Sequence, residues 1–358
     1  MRLQSISLAA LLLATAYGAA AVAADSTALA LEGGDAPARA LQMAHMGHMA
    51  VPTGLPAGVT VVPVAPNLDM VAVHGRNVAV QFGRDGVLVV DSGTAADSAT
   101  LLDVIKRISP QPIRIVVDTS ASPDRAGGNA ALSVAGHGFT QDETGFGGGR
   151  FVGDSPATII AQANVLTALT ATPGVDLAHA LPTLTFNEGA KDITLNGDSI
   201  LMKRVQPAHS DGDVFVVFRR ADVIVAGDIL DMQHFPQIDL AHGGSINGEV
   251  DALNRLLDMT VPALPLYWNG GGTVVIPAAG RLAQAEEVVQ YRDMITIVRD
   301  RIKALIDQHR SLAQVRAADP TAGYSARYGA QSGPYATDRF VTAVYQSLMA
   351  ARGHGRGR

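Results

Sequence analysis

Two short segments concentrate the side chains able to do chemistry. The first runs Asp118-Thr119-Ser120-Ala121-Ser122-Pro123-Asp124-Arg125, and the second His209-Ser210-Asp211-Gly212-Asp213, with Gly227-Asp228 beyond it. Each follows an apolar run, at the kind of place where a loop on a rigid scaffold carries function. Ser120 or Ser122 with His209 as base, and Asp211 or Asp213 orienting the ring, would form a nucleophilic constellation. No Gly-x-Ser-x-Gly elbow accompanies it. Serines that only fill space are the simpler reading, since geometry and not residue type defines such sites. Asp213, close to a strand start, reads as a turn or capping residue.

Composition narrows the field. With 358 residues, 47% of them hydrophobic and 17% charged, the chain can build a sizeable core and is too weakly charged for a disordered one. The length suits one large domain or two ordinary ones. A formal net charge of −6 without any basic excess argues against nucleic-acid binding. The absence of cysteine removes disulfides, thiolate zinc sites, cysteine nucleophiles and iron–sulfur clusters together.

The elements that must position these residues are written in the apolar periodicity. Met70–Val73, Val78–Phe82 and Val87–Val90 are β-branched runs between turn residues and read as a strand meander. Ala95–Ile108 has helical spacing, and Ile113–Val117 reads as a buried strand. A Gly-rich loop is expected over Gly136–Gly153 and a helix over Thr158–Ala171, followed by strands at Leu184–Phe186, Ile193–Leu195, Ile200–Val205, Val214–Phe218 and Val223–Ala226. Gly248–Leu257 and Gln284–Gln308 have helical period, the second with an apolar stripe fit to pack on a sheet. Thr337 is placed to cap a last helix. Strand-rich blocks alternating with helices imply an α/β arrangement with mixed sheets.

The N-terminus is a different kind of sequence. Residues 1–24 have a basic start at Arg2, an apolar centre and small residues ending Val22-Ala23-Ala24, the pattern of a secretory signal peptide. The strongly apolar part is shorter than the roughly 20 residues a spanning helix needs. The expected mature protein is therefore periplasmic or secreted, with no membrane span after signal removal. Residues 25–66 read as a flexible linker, 67–350 as the folded domain with its C-terminal helices, and 351–358 as a basic tail. Within the linker, His45 and His48 stand among Met43, Met46 and Met49, thioether and imidazole donors of the kind that suit copper. Periplasmic copper binding is one alternative function; chance enrichment in a tail is the simpler reading.

The ordered motifs carry a family resemblance. Asp91-Ser92-Gly93 after a strand, Thr119–Asn129, Ala208–Asp213, Ala226-Gly227-Asp228 and Ile276-Pro277-Ala278-Ala279-Gly280 occur in the sequence order of the metallo-β-lactamase superfamily. The chain resembles its exported hydrolase-like members from about Leu68 to Leu348. That resemblance implies an α/β (α+β) fold, the four-layer αββα sandwich, with a dinuclear metal site at one edge of two sheets. Gly127-Gly128-Asn129 is then a helix-start turn, since it lacks the spacing of a phosphate-binding loop.

The resemblance also shows what is missing. The superfamily's first motif, His-x-His-x-Asp-His, falls here on Ser120, Ser122, Asp124 and Arg125, and the histidine of its Pro-Gly-His-Gly turn falls on Ala279. Ser120, Ser122, Arg125 and Ala279 are thus degenerate positions, while Asp124, His209 and Asp228 are the residual metal ligands. Serine is a poor ligand for zinc and alanine none. Arginine stays charged, so Arg125 is expected to replace the second metal, pairing with Asp228 or Asp124. Without metal, nothing evident lowers a water's pKa. The expected function is a non-catalytic homologue that binds a small-molecule ligand in the family pocket, with no cofactor at full occupancy. The alternative is a hydrolase with one weakly held zinc or other divalent ion. His234 and His242 are conceivable substitute ligands or merely solvated, and Tyr267 and Trp268 beside Gly270-Gly271-Gly272 line a pocket rim or pack.

Overall fold

The computed structural model describes residues 51–139, 155–187, 189–263 and 271–355. The signal segment, the Met43–Met49 cluster, the Gly-rich stretch 140–153 and the Tyr267-Trp268 pair lie outside the described residues. The first sheet is built from β1 (Val59–Ala65), β2 (Leu68–Val73), β3 (Arg76–Gly83), β4 (Gly86–Val90), β5 (Ile113–Val117), β6 (Thr158–Gln162) and β7 (Leu184–Phe186), in that order across the sheet. The β1–β4 meander is antiparallel, and from β4 to β7 the neighbours are parallel. Helices α1 (Ser98–Ile108), α2 (Pro123–Ala126), α3 (Asn129–Ala135) and α4 (Ala163–Ala171) form its crossovers. The second sheet contains β8 (Ala190–Leu195), β9 (Asp198–Arg204), β10 (Val214–Phe218), β11 (Val223–Gly227) and β12 (Val274–Pro277), in the order β12-β11-β10-β9-β8, with only β11 and β12 parallel. Helix α5 (Ile246–Met259) joins β11 to β12, and α6 (Ala285–Asp307), α7 (Leu312–Ala317), α8 (Ser325–Tyr328) and α9 (Thr337–Gly355) follow.

Three apolar layers hold these pieces as an αββα sandwich. Leu88, Val90, Val117 and Ile160 meet Met202, Val216, Phe218 and Val225 between the sheets. Val87, Val89 and Val116, on the other face of the first sheet, pack on Leu101, Val104 and Ile105 of α1 and Leu132 of α3. Phe215 and Ile224 of the second sheet pack on Leu253 and Leu256 of α5, Val288 and Ile295 of α6 and Val344 of α9. Strand β4 reads as an unbroken apolar run because both of its faces are covered. Among the described residues no helix is long and apolar enough to cross a membrane.

Several boundaries differ from the sequence reading. Residues 59–65, expected as linker, are β1, so the folded domain begins before residue 67. Pro63 disguised it, yet β1 is an edge strand with a bulge between Pro63 and Ala65, where a missing N–H costs no ladder bond. The helix expected from Thr158 begins only at Ala163, because Thr158–Gln162 is a buried parallel strand that periodicity alone cannot tell from a helix. The α3 helix was not foreseen. Thr337 does not cap α9; its Oγ1 exchanges hydrogen bonds with the backbone of Ala330. The tail is helical to Gly355 as the end of α9.

The second catalytic-type loop, Pro207–Asp213, is wedged against the start of α5. Ser245 caps α5 by accepting from Gly248 N, and its own N–H donates to Ala208 O at 2.7 Å. A Cβ on Gly248 would lie 1.7 Å from Pro207 O. Gly248→Ala should therefore destabilise the protein by about 1–3 kcal/mol through overpacking, against the gain of about 1 kcal/mol that alanine normally brings to a helix. Urea unfolding of the two proteins checks the sign.

Candidate functional site

The site forms where β4, β5, β11 and β12 end, all at one edge of the sandwich. Gly227, at φ +55°, turns the chain out of β11, and a Cβ there would meet Thr119 Oγ1 at 2.5 Å. This turn delivers Asp228 beside the segment after β5. Asp91, just after β4, adopts the left-handed region at φ 65°, which costs free energy in a non-glycine residue but is tolerated best by Asp and Asn. Its Oδ1 accepts from Thr119 N and from Thr119 Oγ1, both at 2.8 Å. Pro123 starts α2 with its φ already set, and the helix carries Asp124 and Arg125.

Arg125 is the centre of the arrangement. Its side chain is only 1% exposed, yet it reaches four strand ends. Nη1 donates to Asn77 O of β3 at 3.0 Å and lies 3.3 Å from Asp91 Oδ2; Nη2 donates to Ala278 O, just beyond β12, at 3.1 Å. Nε forms an ion pair with Asp228 Oδ1 at 3.1 Å. The other carboxylate oxygen of Asp228, Oδ2, accepts from Ser120 Oγ at 2.7 Å and Ser122 Oγ at 2.9 Å. His209 Nε2 stands 3.5 Å from the same oxygen, while its Nδ1 is 2.8 Å from Gln237 O and so carries the hydrogen. Ser120, Ser122, Arg125, His209 and Asp228 are brought together; Ala279 is buried next to them.

Asp124 belongs to a neighbouring cluster. It accepts from Tyr335 Oη at 2.6 Å and pairs with Arg76 Nε at 3.3 Å, not with Arg125. The serine-nucleophile constellation does not form, because both hydroxyls donate to Asp228 and not to His209 Nε2, and the ring is oriented by Gln237 O and not by Asp211 or Asp213. Asp213 instead holds its own loop, accepting from Ser210 N at 2.8 Å and Ser210 Oγ at 2.6 Å. His234 is paired with Asp231, and the exposed His242 with Asp239, so neither joins His209 and Asp228.

The donor set does not fit a zinc pair. A catalytic zinc takes imidazoles and carboxylates with a position open to water. Here one imidazole remains, the serines spend their hydrogens on the carboxylate such a metal would need, and a guanidinium fills the space between Asp91 and Asp228. Among the described residues no three His, Asp or Glu side chains form a group that could hold a metal ion.

The electrostatics follow from an excess of buried acid. Burial disfavours the charge on Asp228, but Arg125, His209 and the two serine hydroxyls overcome it and hold the carboxyl down to about 2. Burial likewise opposes the charge on Arg125, and Asp228 and Asp91 more than restore it. Asp91 and Asp213 fare differently: burial pushes each up to about 6, with Arg125 and Thr119 offsetting it only in part for the first, and His209 and Ser210 for the second. The guanidinium thus serves Asp228 first. Glu249, on α5, is fully buried with neither oxygen hydrogen-bonded, and burial, then Asp213 and Asp228, holds it well above the usual carboxylate range. His209 is raised: burial works against its charge, and Asp228, Asp213 and Gln237 O outweigh burial.

Sequence reasoning did not find Asn77, Glu249, Arg76 or Tyr335 as parts of this region. Asn77 contributes a backbone carbonyl, which no side-chain pattern can signal, and Asp124 and Tyr335 meet across 211 residues of chain. A glutamate on the apolar stripe of α5 was the one available sign.

No family model matches the chain. Among solved structures, it is similar to a stereoselective inverting sec-alkylsulfatase from Pseudomonas sp., with a TM-score of 0.57 at 14% identity over 80% of this chain and 50% of that one. A double mutant of that enzyme gives 0.56 over the same shares. A metallo-β-lactamase from Pontibacter korlensis gives 0.49 at 15% identity, over 66% of this chain and 99% of that one. The chain spans about half the length of the alkylsulfatase. At these identities the likeness is one of fold, the αββα sandwich of metallo-β-lactamase type.

Two outcomes are expected. Arg125→Met leaves Asp91 buried without its cation and Asp228 with His209 alone, and should cost about 3–5 kcal/mol, part of which Asp228→Asn in the same chain restores; urea unfolding measures both. The second concerns pH. Asp91, Asp213 and Glu249 bind protons more tightly folded than unfolded, so stability falls as pH rises from about 4 through their folded values. His209 acts in the same direction, its contribution complete below 6.5 and lost as pH rises through its elevated folded value. Asp228 opposes them, as do the exposed Asp176 and Asp307 on the surface, but these contributions are lost only as pH falls below 3.8, for Asp228 toward about 2, and so do not change between pH 5 and pH 8. Each tenfold change in proton affinity is worth about 1.4 kcal/mol. The thermal midpoint should therefore be higher at pH 5 than at pH 8, and an equal or lower value at pH 5 would refute this account.

Proposed function

We propose that this chain is an exported, non-catalytic homologue with a metallo-β-lactamase-type fold, which keeps its site as a place to bind a small molecule. The observation that carries the reading is the wholly buried Arg125 guanidinium, paired with Asp228 and Asp91 and donating to backbone carbonyls of Asn77 and Ala278. It does two jobs that hydrolytic chemistry would need a metal to do: it neutralises the carboxylates, and it ties the strand ends of both sheets. It cannot do a third, because a guanidinium is no Lewis acid and offers no position at which water could be ionised. Ser120 and Ser122 are poor nucleophiles for the complementary reason. Each donates to a carboxylate held at about 2, a base far too weak to remove a hydroxyl proton near neutrality.

Export is supported by the signal-like residues 1–24, and a binding role by polar side chains gathered at one edge of the sandwich, since a fold can carry different functions at the same site. The test is a zinc titration of the full chain by calorimetry, with metal content measured after gel filtration. No stoichiometric zinc, and no hydrolysis of sulfate ester, phosphoester, thioester, lactone or lactam in its presence, is expected. Retention of about one zinc per chain that is lost in His209→Ala, with hydrolysis dependent on it, would overturn the reading in favour of a mononuclear hydrolase.

A further inference from the structure

The cluster next to the Arg125 centre is built around a side chain that sits in it as a ligand would. Tyr335 belongs to the connection between α8 and α9, of which residues 331–334 are exposed. Its ring lies under the guanidinium of Arg76, with Cζ 4.2 Å from the ring centroid, and stacks on His234 at 4.5 Å. Its hydroxyl donates to Asp124 at 2.6 Å. A cation over the ring, an aromatic partner and an acceptor for the hydroxyl together make a complete recognition set for a phenol.

The walls of this slot do not depend on Tyr335. Arg76 is 3.3 Å from Asp124 and 3.5 Å from Asp231, and His234 Nδ1 is 3.0 Å from Asp231 Oδ2. The backbone carbonyl of His234 accepts from the buried Tyr291 at 3.1 Å. The strap is held differently. Its ends are closed by Thr337 N donating to Ala330 O and by Ala336 N donating to Gly333 O. Among the described residues, no backbone hydrogen bond ties 331–335 to another element, so the Tyr335 side chain is its anchor. Gly333, at φ +81° with open space around it, gives the strap a residue that can change conformation cheaply.

We infer that Tyr335 is a built-in occupant of a phenol-binding slot formed by Arg76, Asp124 and His234, and that a small phenolic ligand takes its place when residues 331–335 swing away. The slot lies beside the Arg125 centre, and the inference goes beyond the reading proposed above. The Tyr335 hydroxyl is the donor to Asp124, so the slot takes a phenol with its hydrogen in place. The tethered ring competes at high effective concentration, which keeps the slot closed to weak ligands.

Calorimetric titration of p-cresol and toluene into the full chain and into Tyr335→Ala tests it. The variant should bind p-cresol at least tenfold more tightly than the unaltered chain does, and toluene at least tenfold more weakly than p-cresol. Equal p-cresol affinity in the two proteins, or toluene matching p-cresol, overturns the inference. Should Tyr335→Ala fail to fold, hydrogen exchange of the unaltered chain decides: the amides of Gln331, Ser332, Gly333 and Tyr335 are expected to exchange at least a hundredfold faster than those of mid-α9, and equal protection overturns it. Zinc titration reads the Arg125 centre and p-cresol the slot, so either reading can fail with the other intact.

Discussion

A guanidinium shut away from water among carboxylates governs how the two sheets meet at this edge. Arg125 gathers Asn77 from β3, Asp91 after β4, Ala278 after β12 and Asp228 after β11, so one side chain stitches four strand ends from both halves of the sandwich. An isolated buried charge would be prohibitive, and a buried pair is often no more stabilising than apolar packing. What makes it tolerable here is saturation. Each neighbour already has a partner of its own: Thr119 for Asp91, and Ser120, Ser122 and His209 for Asp228.

One cation cannot balance all the acid around it. Asp91, Asp213, Asp228 and Glu249 are buried within electrostatic reach of one another, with Arg125 and His209 on the other side of the account. The remainder holds protons more tightly than exposed carboxyls do, most plainly Glu249, whose oxygens have no hydrogen-bond partner. The region is thus a place where proton binding and folding are coupled, and that coupling follows from burial before any question of function arises.

Much of this was legible in the sequence, and the limits have physical causes. The order of Asp91, Thr119–Asn129, His209, Asp228 and Ala279 pointed to one edge of an αββα sandwich, because each of these segments follows an apolar strand run that the chain itself displays. The charge of Arg125 and its two candidate partners were legible too, but the choice between Asp228 and Asp124 was not. Asp124 is drawn off by Arg76 and Tyr335, which reach it from the first sheet and from the far C-terminal strap. Local pattern carries no information about such long closures. The β1 strand escaped notice for a local reason instead, since a proline is unwelcome in a strand except at an edge.

A cation carried on the chain differs from a bound one in a way that reaches beyond this site. It has no dissociation constant, so neither chelators nor a scarcity of metal can remove it, and no competing ion can be mis-loaded in its place. The fold edge secured by Arg125 is therefore indifferent to the metal content of its surroundings. The same tether denies it exchange: a side chain cannot leave, be replaced or be supplied as a signal. Its integrity answers to acidity and to sequence alone.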